Sequence, residues 1–314
     1  MKTKVLAVVG PTASGKSALA IELAKRLGGE IICCDSMQIY KQMNIGTAKP
    51  DESELAQVKH HLFDFADPFV SFSCADYIPL AQATVEDISS RGKLPIFCGG
   101  TGLYLDRLFS GADFASTEID ESFRREMEAF ALEHGNDALH QRLREIDPKS
   151  AEEIHPNNVK RVIRALEIYK TSGRTKSELD AESREFENPY DVIQIGICFE
   201  DRETLYKRIN YRVDKMLEMG LLTETKALLD AGVFDANSTA AQAIGYKELL
   251  SYFKGEKPLE DAVEDLKTAT RRYAKRQMTW FKSHGDVIWI FADGRSVSEL
   301  ANEAEAIIKE RFFA

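Results

Sequence analysis

The spacing of hydrophobic residues changes along the chain and divides it into parts. Up to residue 112, short apolar runs such as Val5–Val9 and Leu94–Cys98 alternate with segments such as Ser17–Leu27 and Ser73–Ser90, in which apolar residues recur every three or four positions. Short apolar runs are typical of buried strands, and the longer period is typical of amphipathic helices. Strands separated by helices predict a parallel sheet with right-handed crossovers.

The strand pattern disappears after residue 112 and returns at Asp191–Cys198. Between them lie helical patterns over Ser122–Glu133, Asp137–Ile146 and Asn158–Thr171. We therefore predict an α/β core made of residues 1–112 and 191–314, with a helical insertion at 113–190.

The return to the core carries further helical patterns and one more strand. The acidic run from Glu178 to Asp191 predicts an exposed loop, and His61–Phe65 predicts a short strand. The predicted elements after the insertion are helices over Arg202–Leu217, Leu221–Ala231, Ala240–Phe253, Leu259–Phe281 and Val297–Phe312, and a strand over Val287–Ile290.

One loop carries a phosphate-binding pattern. The residues from Gly10 to Ser17 read Gly-Pro-Thr-Ala-Ser-Gly-Lys-Ser, which is the spacing G-x-x-x-x-G-K-[ST] between a strand and a helix. The two glycines allow several backbone N–H groups to surround one anion, and the helix start adds its positive dipole end. Lys16 would reach the terminal phosphates and Ser17 would ligate Mg²⁺. The pattern predicts a phosphorylated ligand and does not distinguish ATP from another one.

Two polar residues follow neighbouring strands of the predicted sheet. Asp35 comes after Glu30–Cys34, and Thr101 stands between glycines after Leu94–Cys98. Ligands of parallel sheets bind outside the carboxyl ends of the strands, so we expect both residues beside the phosphate loop. Asp35 is either a general base or metal ligand, or the cap of a turn. Thr101 supports Asp35, touches the substrate, or serves only its own turn.

Composition predicts a cytoplasmic protein without a membrane segment. The 314 residues are 44% hydrophobic and 29% charged, and the longest apolar runs have the length of strands. The chain starts directly into its first strand, so no secretory leader is expected. The five cysteines are odd in number and lack metal-ligand spacing, which predicts reduced thiols.

The net charge of −10 argues on average against a nucleic-acid partner, yet two segments are basic. In the second, residues four apart form a basic helix face. Either segment alone could be an ordinary solvated face balanced by acids elsewhere, but both together with a phosphate loop predict binding of a polyanion. The cations are Lys160, Arg161, Arg164, Lys170, Arg174 and Lys176 in the first segment, and Lys267, Arg271, Arg272, Lys275, Arg276 and Lys282 in the second.

With these motifs the chain resembles tRNA dimethylallyltransferase, the bacterial tRNA isopentenyltransferase family, nearly end to end. The combination of the phosphate loop with Asp-Ser-x-Gln-x-Tyr and Lys-Arg-Gln-x-Thr-Trp is specific. Ser17 stands where Thr is common, and Asn158 stands where many members have Asp. The matching stretches are residues 10–17, 35–40, 44–50, 60–62, 99–104, 155–158, 161–167, 243–248 and 275–281.

The resemblance implies transfer of a dimethylallyl group from dimethylallyl diphosphate to the exocyclic amine of the adenosine just 3′ of a tRNA anticodon, with Mg²⁺ and without ATP. It implies a P-loop NTPase-like parallel sheet flanked by helices, and the tRNA anticodon stem-loop as the partner. We expect the protein to be a monomer. The implied catalytic residues are Asp35, Thr101 and Lys16. The implied diphosphate-binding residues are Gly10, Pro11, Thr12, Ala13, Ser14, Gly15, Lys16, Ser17, Arg208 and Arg212, with Ser17 on the metal.

The implied tRNA contacts are spread over the core and the insertion. They are Asp35, Ser36, Met37, Gln38, Thr101, Arg124, Lys160, Arg161, Val162, Ile163, Arg164, Gly245, Tyr246, Lys247, Arg271, Lys275, Arg276, Gln277, Thr279 and Trp280.

Three other functions use the same loop. A small-molecule or nucleotide kinase would bind ATP with Lys16 and the acceptor with Asp35, but it would not need two basic segments or a long helical insertion. An RNA-binding switch would not need Asp35 and Thr101 at the strand ends. An adenylate isopentenyltransferase would prenylate a free nucleotide and would not need the basic helix.

Overall fold

Parallel strands form one sheet at the centre of the fold. The computed structural model describes residues 2–110, 120–183, 186–236, 238–283 and 286–313, so residues 113–119, 184 and 185 of the predicted insertion lie outside the described part. Within these ranges the sheet has six strands, in the order β3-β2-β4-β1-β5-β6. They are β1 Thr3–Val9, β2 Gly29–Cys33, β3 His60–His61, β4 Leu94–Gly99, β5 Tyr190–Cys198 and β6 Val287–Phe291.

Helices cover both faces of this sheet, which confirms the predicted α/β class. Those of the core are α1 Lys16–Leu27, α2 Glu52–Leu55, α3 Cys74–Ser90, α4 Gly102–Phe109, α10 Arg202–Glu218, α11 Leu221–Asp230, α12 Leu250–Phe253, α13 Leu259–Ser283 and α14 Val297–Phe313. Between α4 and β5 the described residues form α5 Glu121–His134, α6 Asn136–Ile146, α7 Pro148–Glu153, α8 Val159–Ser172 and α9 Lys176–Ser183.

The alternating side chains of β1 show how the sheet is buried. Leu6 and Val8 pack against α1 and α14, whereas Val5, Ala7 and Val9 pack against α3 and α4. All five are completely buried. Val9 lies opposite Gly99 of β4 and Gly196 of β5, so the loops that follow these strands leave from one edge of the sheet.

The chain forms two compact units. The first comprises Met1–Phe109 and Pro189–Ala314, and the second comprises Ser110–Asn188. The second unit has its own core, to which Met127, Leu139, Leu143 and Leu166 contribute. Within the described ranges, every helix is too short or too polar to cross a bilayer.

Three local predictions are wrong, and each has a physical reason. The acidic loop from Glu178 contains α9, because Glu178 and Thr175 bond each other's backbone N–H groups in a capping box. The strand over His61–Phe65 keeps only His61, because Leu62 and Asp64 have positive φ angles of 57° and 55°.

The third wrong prediction is the helix over Ala240–Phe253. Short 3₁₀ turns occupy Ala240–Gln242 and Lys247–Leu249, and only α12 is α-helical. Gly245 lies between the two turns with φ +113°, a backbone conformation that ends a helix.

Candidate active site

A cavity of about 270 Å³ opens at the carboxyl edge of the sheet. The phosphate loop contributes Thr12, Ala13 and Lys16, and the turn after β2 contributes Asp35, Ser36 and Met37. A smaller pocket of about 50 Å³ shares Lys16 and Asp35 with it and adds Ser17. The remaining lining of the larger cavity comes from residues 46–48, from α10, from residues 242–245 and 247, and from α13.

The phosphate loop has the backbone that its glycines predict. Gly10 has φ +143°, and a Cβ there would lie 2.9 Å from the carbonyl oxygen of Ile197, so only glycine fits. Ser14 is buried, and its hydroxyl has no hydrogen-bond partner among the described residues. Buried polar atoms are normally bonded, so this hydroxyl is suited to donating to a bound phosphate oxygen.

Two side chains from distant helices hold the phosphate loop in place. The Arg208 Nε donates to the carbonyl oxygen of Ala13 at 2.9 Å. Gln277 accepts from the Thr12 N–H at 2.8 Å and donates to the carbonyl oxygen of Gly100 at 3.0 Å. Gln277 is only 4% exposed, and both ends of its amide are used inside the protein, so in this geometry it supports the loop, and its contact with tRNA stays a prediction.

Lys16 and Arg212 bring positive charge into the cavity. Burial lowers the pKa of the Lys16 amine, and burial also lowers the pKa of the Arg212 guanidinium, with Asp35 acting in the opposite direction on both. Arg212 lines both pockets, whereas Arg208 lines neither. A bound anion would offset the cost of keeping both cations there, so Arg212 is better placed than Arg208 to contact diphosphate.

Asp35 has two roles in the geometry. Its Oδ1 accepts from the Met37 N–H at 2.9 Å and from the Gln38 N–H at 3.4 Å, which makes it the cap of a turn. The same carboxylate lines both pockets beside Lys16. Asp35 can therefore cap its turn with Oδ1 and still offer its second oxygen to a ligand, because a carboxylate has two oxygens.

Thr101 supports the Asp35 turn from behind. Its hydroxyl accepts from the Ser36 N–H at 3.0 Å, and its own N–H donates to the carbonyl oxygen of Cys34 at 3.2 Å. Thr101 does not line either pocket. In this geometry Thr101 therefore positions the segment that carries Asp35, and its catalytic role stays a prediction.

Several residues of the predicted tRNA contacts have side chains that are already engaged or buried, and their contacts with tRNA stay predictions. The Gln38 amide donates to the carbonyl oxygens of Thr47 and Ala48 at 3.0 and 2.9 Å. Val162 and Ile163 are 0% and 3% exposed in the core of the second unit. Tyr246 is completely buried.

Part of the basic charge is neutralised by nearby acids, as expected of an ordinary solvated face. Buried Glu167 accepts from both Arg124 and Arg164. Arg271 donates to Asn210 and Glu264 at 2.7 and 2.8 Å. The other internal pairs are Lys170 with Asp120, Arg174 with Glu182, Lys176 with Asp180 and Lys267 with Asp214.

The remaining predicted contacts differ in exposure. The Trp280 indole N–H donates to Asp106 at 2.9 Å, and the exposed Thr279 bonds the carbonyl oxygen of Lys275. Gly245 and Lys247 line the larger cavity. Of the cations in the two basic segments, those that are exposed and have no ion-pair partner among the described residues are Lys160 and Arg161 on α8, and Arg272, Lys275, Arg276 and Lys282 on α13.

The apolar lining of the cavity is the part that sequence reasoning missed. Ile209, Val213 and Met216 of α10 and Leu266 of α13 face it, together with Tyr273. They recur at helical spacing, but the same spacing describes any helix that packs on a core. The sequence therefore contains the pattern but not the information that a cavity lies in front of it.

These features define a P-loop α/β protein whose phosphate site adjoins an apolar pocket. The chain matches the family described as "IPP transferase" over residues 38–284, and the family described as "Isopentenyl transferase" over residues 3–67. It is 53% identical over 289 residues to a tRNA dimethylallyltransferase of Acetivibrio thermocellus, covering 92% of each chain.

Solved structures agree with this match. A full-length tRNA isopentenylpyrophosphate transferase from Bacillus halodurans superposes with a TM-score of 0.72 at 44% identity, covering 99% of this chain and 98% of the other. A eukaryotic dimethylallyltransferase described as acting on tRNA has a TM-score of 0.82 at 32% identity, covering 98% of this chain and 80% of the other. The chain therefore belongs to the IPP transferase family, which confirms the resemblance predicted from its motifs.

Proposed function

We propose that this chain transfers a dimethylallyl group from dimethylallyl diphosphate to N6 of the adenosine 3′-adjacent to the anticodon in tRNA, releasing diphosphate. The observation that carries this proposal is the cavity, which combines a phosphate loop, a carboxylate and an apolar lining. The loop, Lys16 and Arg212 suit the diphosphate. Ile209, Val213 and Met216 suit a branched hydrocarbon, whereas a kinase would need no such lining for a transferred phosphoryl group.

Different residues act on the leaving group and on the nucleophile. As the allylic carbon–oxygen bond breaks, negative charge grows on the diphosphate oxygen, and Lys16 with the loop N–H groups stabilises it. The adenine amine is a weak nucleophile because its lone pair is delocalised into the ring. Asp35 accepts the amine proton as the new carbon–nitrogen bond forms. An adenine stacked in an RNA loop must be flipped out to reach the cavity.

The donor set fits a divalent cation that is bound together with diphosphate. The Ser17 hydroxyl and the Asp35 carboxylate share the smaller pocket, and both are oxygen ligands of the kind Mg²⁺ prefers. Among the described residues, no group of three or more His, Cys, Asp or Glu side chains could hold a metal by itself. Phosphate oxygens and water would therefore complete the coordination of Mg²⁺. When bound, the ion would neutralise charge on the leaving group.

The exposed cations supply the means of binding tRNA. Phosphate neutralisation by Lys and Arg dominates RNA affinity, and unstacked loop bases are the usual targets of recognition. The cations that would contact tRNA phosphates are Lys160 and Arg161 in the second unit, and Arg272, Lys275 and Arg276 on α13. We expect a monomer acting in the cytoplasm, where the free thiols of its five cysteines remain reduced.

A single assay tests this function. The purified protein is incubated with Mg²⁺, dimethylallyl diphosphate and unmodified tRNA, and the digested nucleosides are analysed by mass. Prenylated adenosine beside the anticodon is expected only when both tRNA and the diphosphate are present. Prenylation of free AMP instead of tRNA would indicate an adenylate isopentenyltransferase, and phosphoryl transfer from ATP would indicate a kinase.

Charge reversal on α13 should weaken tRNA binding. In Arg272→Glu/Lys275→Glu, each reversed cation is exposed and unpaired among the described residues, so its loss should lower affinity across all tRNA sequences. The slope of log affinity against log salt should fall by roughly one for each tRNA phosphate that is no longer neutralised. Lys309→Glu on α14, where the lysine pairs with Glu305, is the matched control. A salt slope identical to that of the wild type would rule out this face.

A further inference from the structure

One carboxylate holds the loop that forms a wall of the cavity. Glu224 on α11 accepts hydrogen bonds from three successive backbone N–H groups: Asn44 at 3.0 Å, Ile45 at 2.9 Å and Gly46 at 3.1 Å. The Tyr246 hydroxyl donates to the same carboxylate at 2.7 Å. Consecutive N–H groups that converge on one point form an anion-binding nest. Here a side chain of the protein itself fills the nest, and both of its oxygens are used.

The loop is packed as closely as it is bonded. A Cβ on Gly46 would lie 2.4 Å from Cζ of Tyr246, and a Cβ on Gly245 would lie 2.9 Å from the carbonyl oxygen of Gly46. Two glycines thus allow the loop and the 245–246 turn to approach each other directly. This close packing and the bonds to Glu224 therefore act together on the position of the loop.

The same loop is bonded to the turn that carries Asp35. The Gln38 side chain donates to Thr47 and Ala48, and the Gln38 N–H lies 3.4 Å from Oδ1 of Asp35. Residues 46–48 and Asp35 all line the cavity. Glu224 is therefore connected to Asp35 through its hydrogen bonds to residues 44–46, the chain from there to residues 47 and 48, and the hydrogen bonds of Gln38.

We propose that Glu224 is a positioning residue for prenyl transfer, which fixes residues 44–48 and, through Gln38, the turn of Asp35. This inference rests on the proposed function. The phosphate loop has separate supports in Arg208 and Gln277, so diphosphate binding does not depend on Glu224. The expected signature is a fall in kcat while diphosphate affinity is retained.

Glu224→Gln tests the proposal because it keeps the size of the side chain but turns an NH₂ group towards backbone N–H donors. We expect kcat for tRNA prenylation to fall by roughly 10–100-fold, the range that small misplacement of reacting groups produces. Calorimetry with pyrophosphate and Mg²⁺ should give the wild-type Kd. Hydrogen–deuterium exchange should become faster at the amides of residues 44–46 and remain unchanged in the phosphate loop.

Two further variants separate positioning from general damage. Asp230→Asn removes another carboxylate of α11, one that pairs with exposed Lys226, and it should leave kcat and exchange unchanged. Tyr246→Phe removes one of the bonds to Glu224 and keeps the ring against Gly46. It should lower kcat in the same direction by a smaller factor, which gives a second measurement if Glu224→Gln folds poorly.

The outcomes distinguish this proposal from the function on which it rests. Wild-type prenylation together with unchanged kcat in both Glu224→Gln and Tyr246→Phe would overturn the role of Glu224 alone. Faster exchange spread over the phosphate loop, with weaker pyrophosphate binding, would also overturn it, because the effect would then be global. A wild-type protein that does not prenylate tRNA would contradict the proposed function and the role of Glu224 together.

Discussion

Asp35→Asn should lower kcat for tRNA prenylation by roughly 10²–10⁴-fold, the usual contribution of a general base. Asparagine keeps an oxygen that can accept from the Met37 and Gln38 N–H groups, so the turn survives the change. It has no basic oxygen to take the amine proton. The loss should therefore appear in single-turnover rates of prenyl transfer, measured with saturating tRNA and donor.

Measurements of tRNA affinity and thermal stability separate a loss of the general base from damage to the fold. Affinity for tRNA and the melting temperature of Asp35→Asn should match the wild type, because the base acts only as the amine attacks. Asp87→Asn is a suitable control, since Asp87 is an exposed carboxylate of α3 that pairs with Arg91. An Asp35→Asn enzyme with near-normal turnover would show that Asp35 serves only as the cap of its turn.

Lys16→Met should lower kcat/KM for dimethylallyl diphosphate by roughly 10²–10³-fold, because it removes a preorganised donor from the leaving diphosphate. Methionine keeps most of the length of the side chain and its apolar character, so the loss reports mainly the missing charge. Lys25→Met, in the last turn of the same helix, is the matched control: Lys25 is exposed and pairs with Glu22. Equal values of kcat/KM in wild type and Lys16→Met would remove Lys16 from the site.

The pH dependence of kcat/KM gives a second test of Lys16. Its amine must be protonated to stabilise the diphosphate, and burial lowers its pKa from the usual 10.5. Activity should therefore fall as the pH rises through that lowered value, at a less alkaline pH than an exposed lysine would give. The profile of kcat/KM reports groups of the free enzyme, which is the state described by this pKa. In an active Lys16→Arg enzyme this alkaline decline should move to higher pH.

The partners of the basic side chains could not be predicted from the sequence, because several of them lie far away in the chain. Arg124 and Glu167 are 43 residues apart, and Arg271 and Asn210 are 61 residues apart. Composition identified both segments as basic, but it could not show which cations already had partners. The exposed cations of α8 and α13 remain as the proposed tRNA contacts, and Arg271, part of an internal network, is a poorer target for charge reversal than Arg272.

The phosphate loop, by contrast, was determined by sequence alone, because its chemistry depends on neighbours in the chain. Gly10 and Gly15 shape the backbone of the loop, Lys16 and Ser17 follow directly in the chain, and the strand and helix that flank them have clear periodic patterns. The parallel sheet followed from the same periodicity. Motif spacing identified the family for the same reason, since it compares residues within short stretches.

Contacts between residues far apart in the chain could be found only from the tertiary structure. Gln277 bonds Thr12 across 265 positions, and Glu224 bonds Gly46 across 178 positions, so neither contact leaves a periodic trace. The helix predicted over Ala240–Phe253 is interrupted at Gly245, which has a positive φ and packs against Gly46, a residue distant in the chain. The sequence by itself predicted that the protein binds a phosphorylated ligand, and it determined the class of sheet that presents the phosphate loop. Folding decided which side chains face the cavity and which ones hold its walls, because hydrogen bonds and packing act between residues that are close in space.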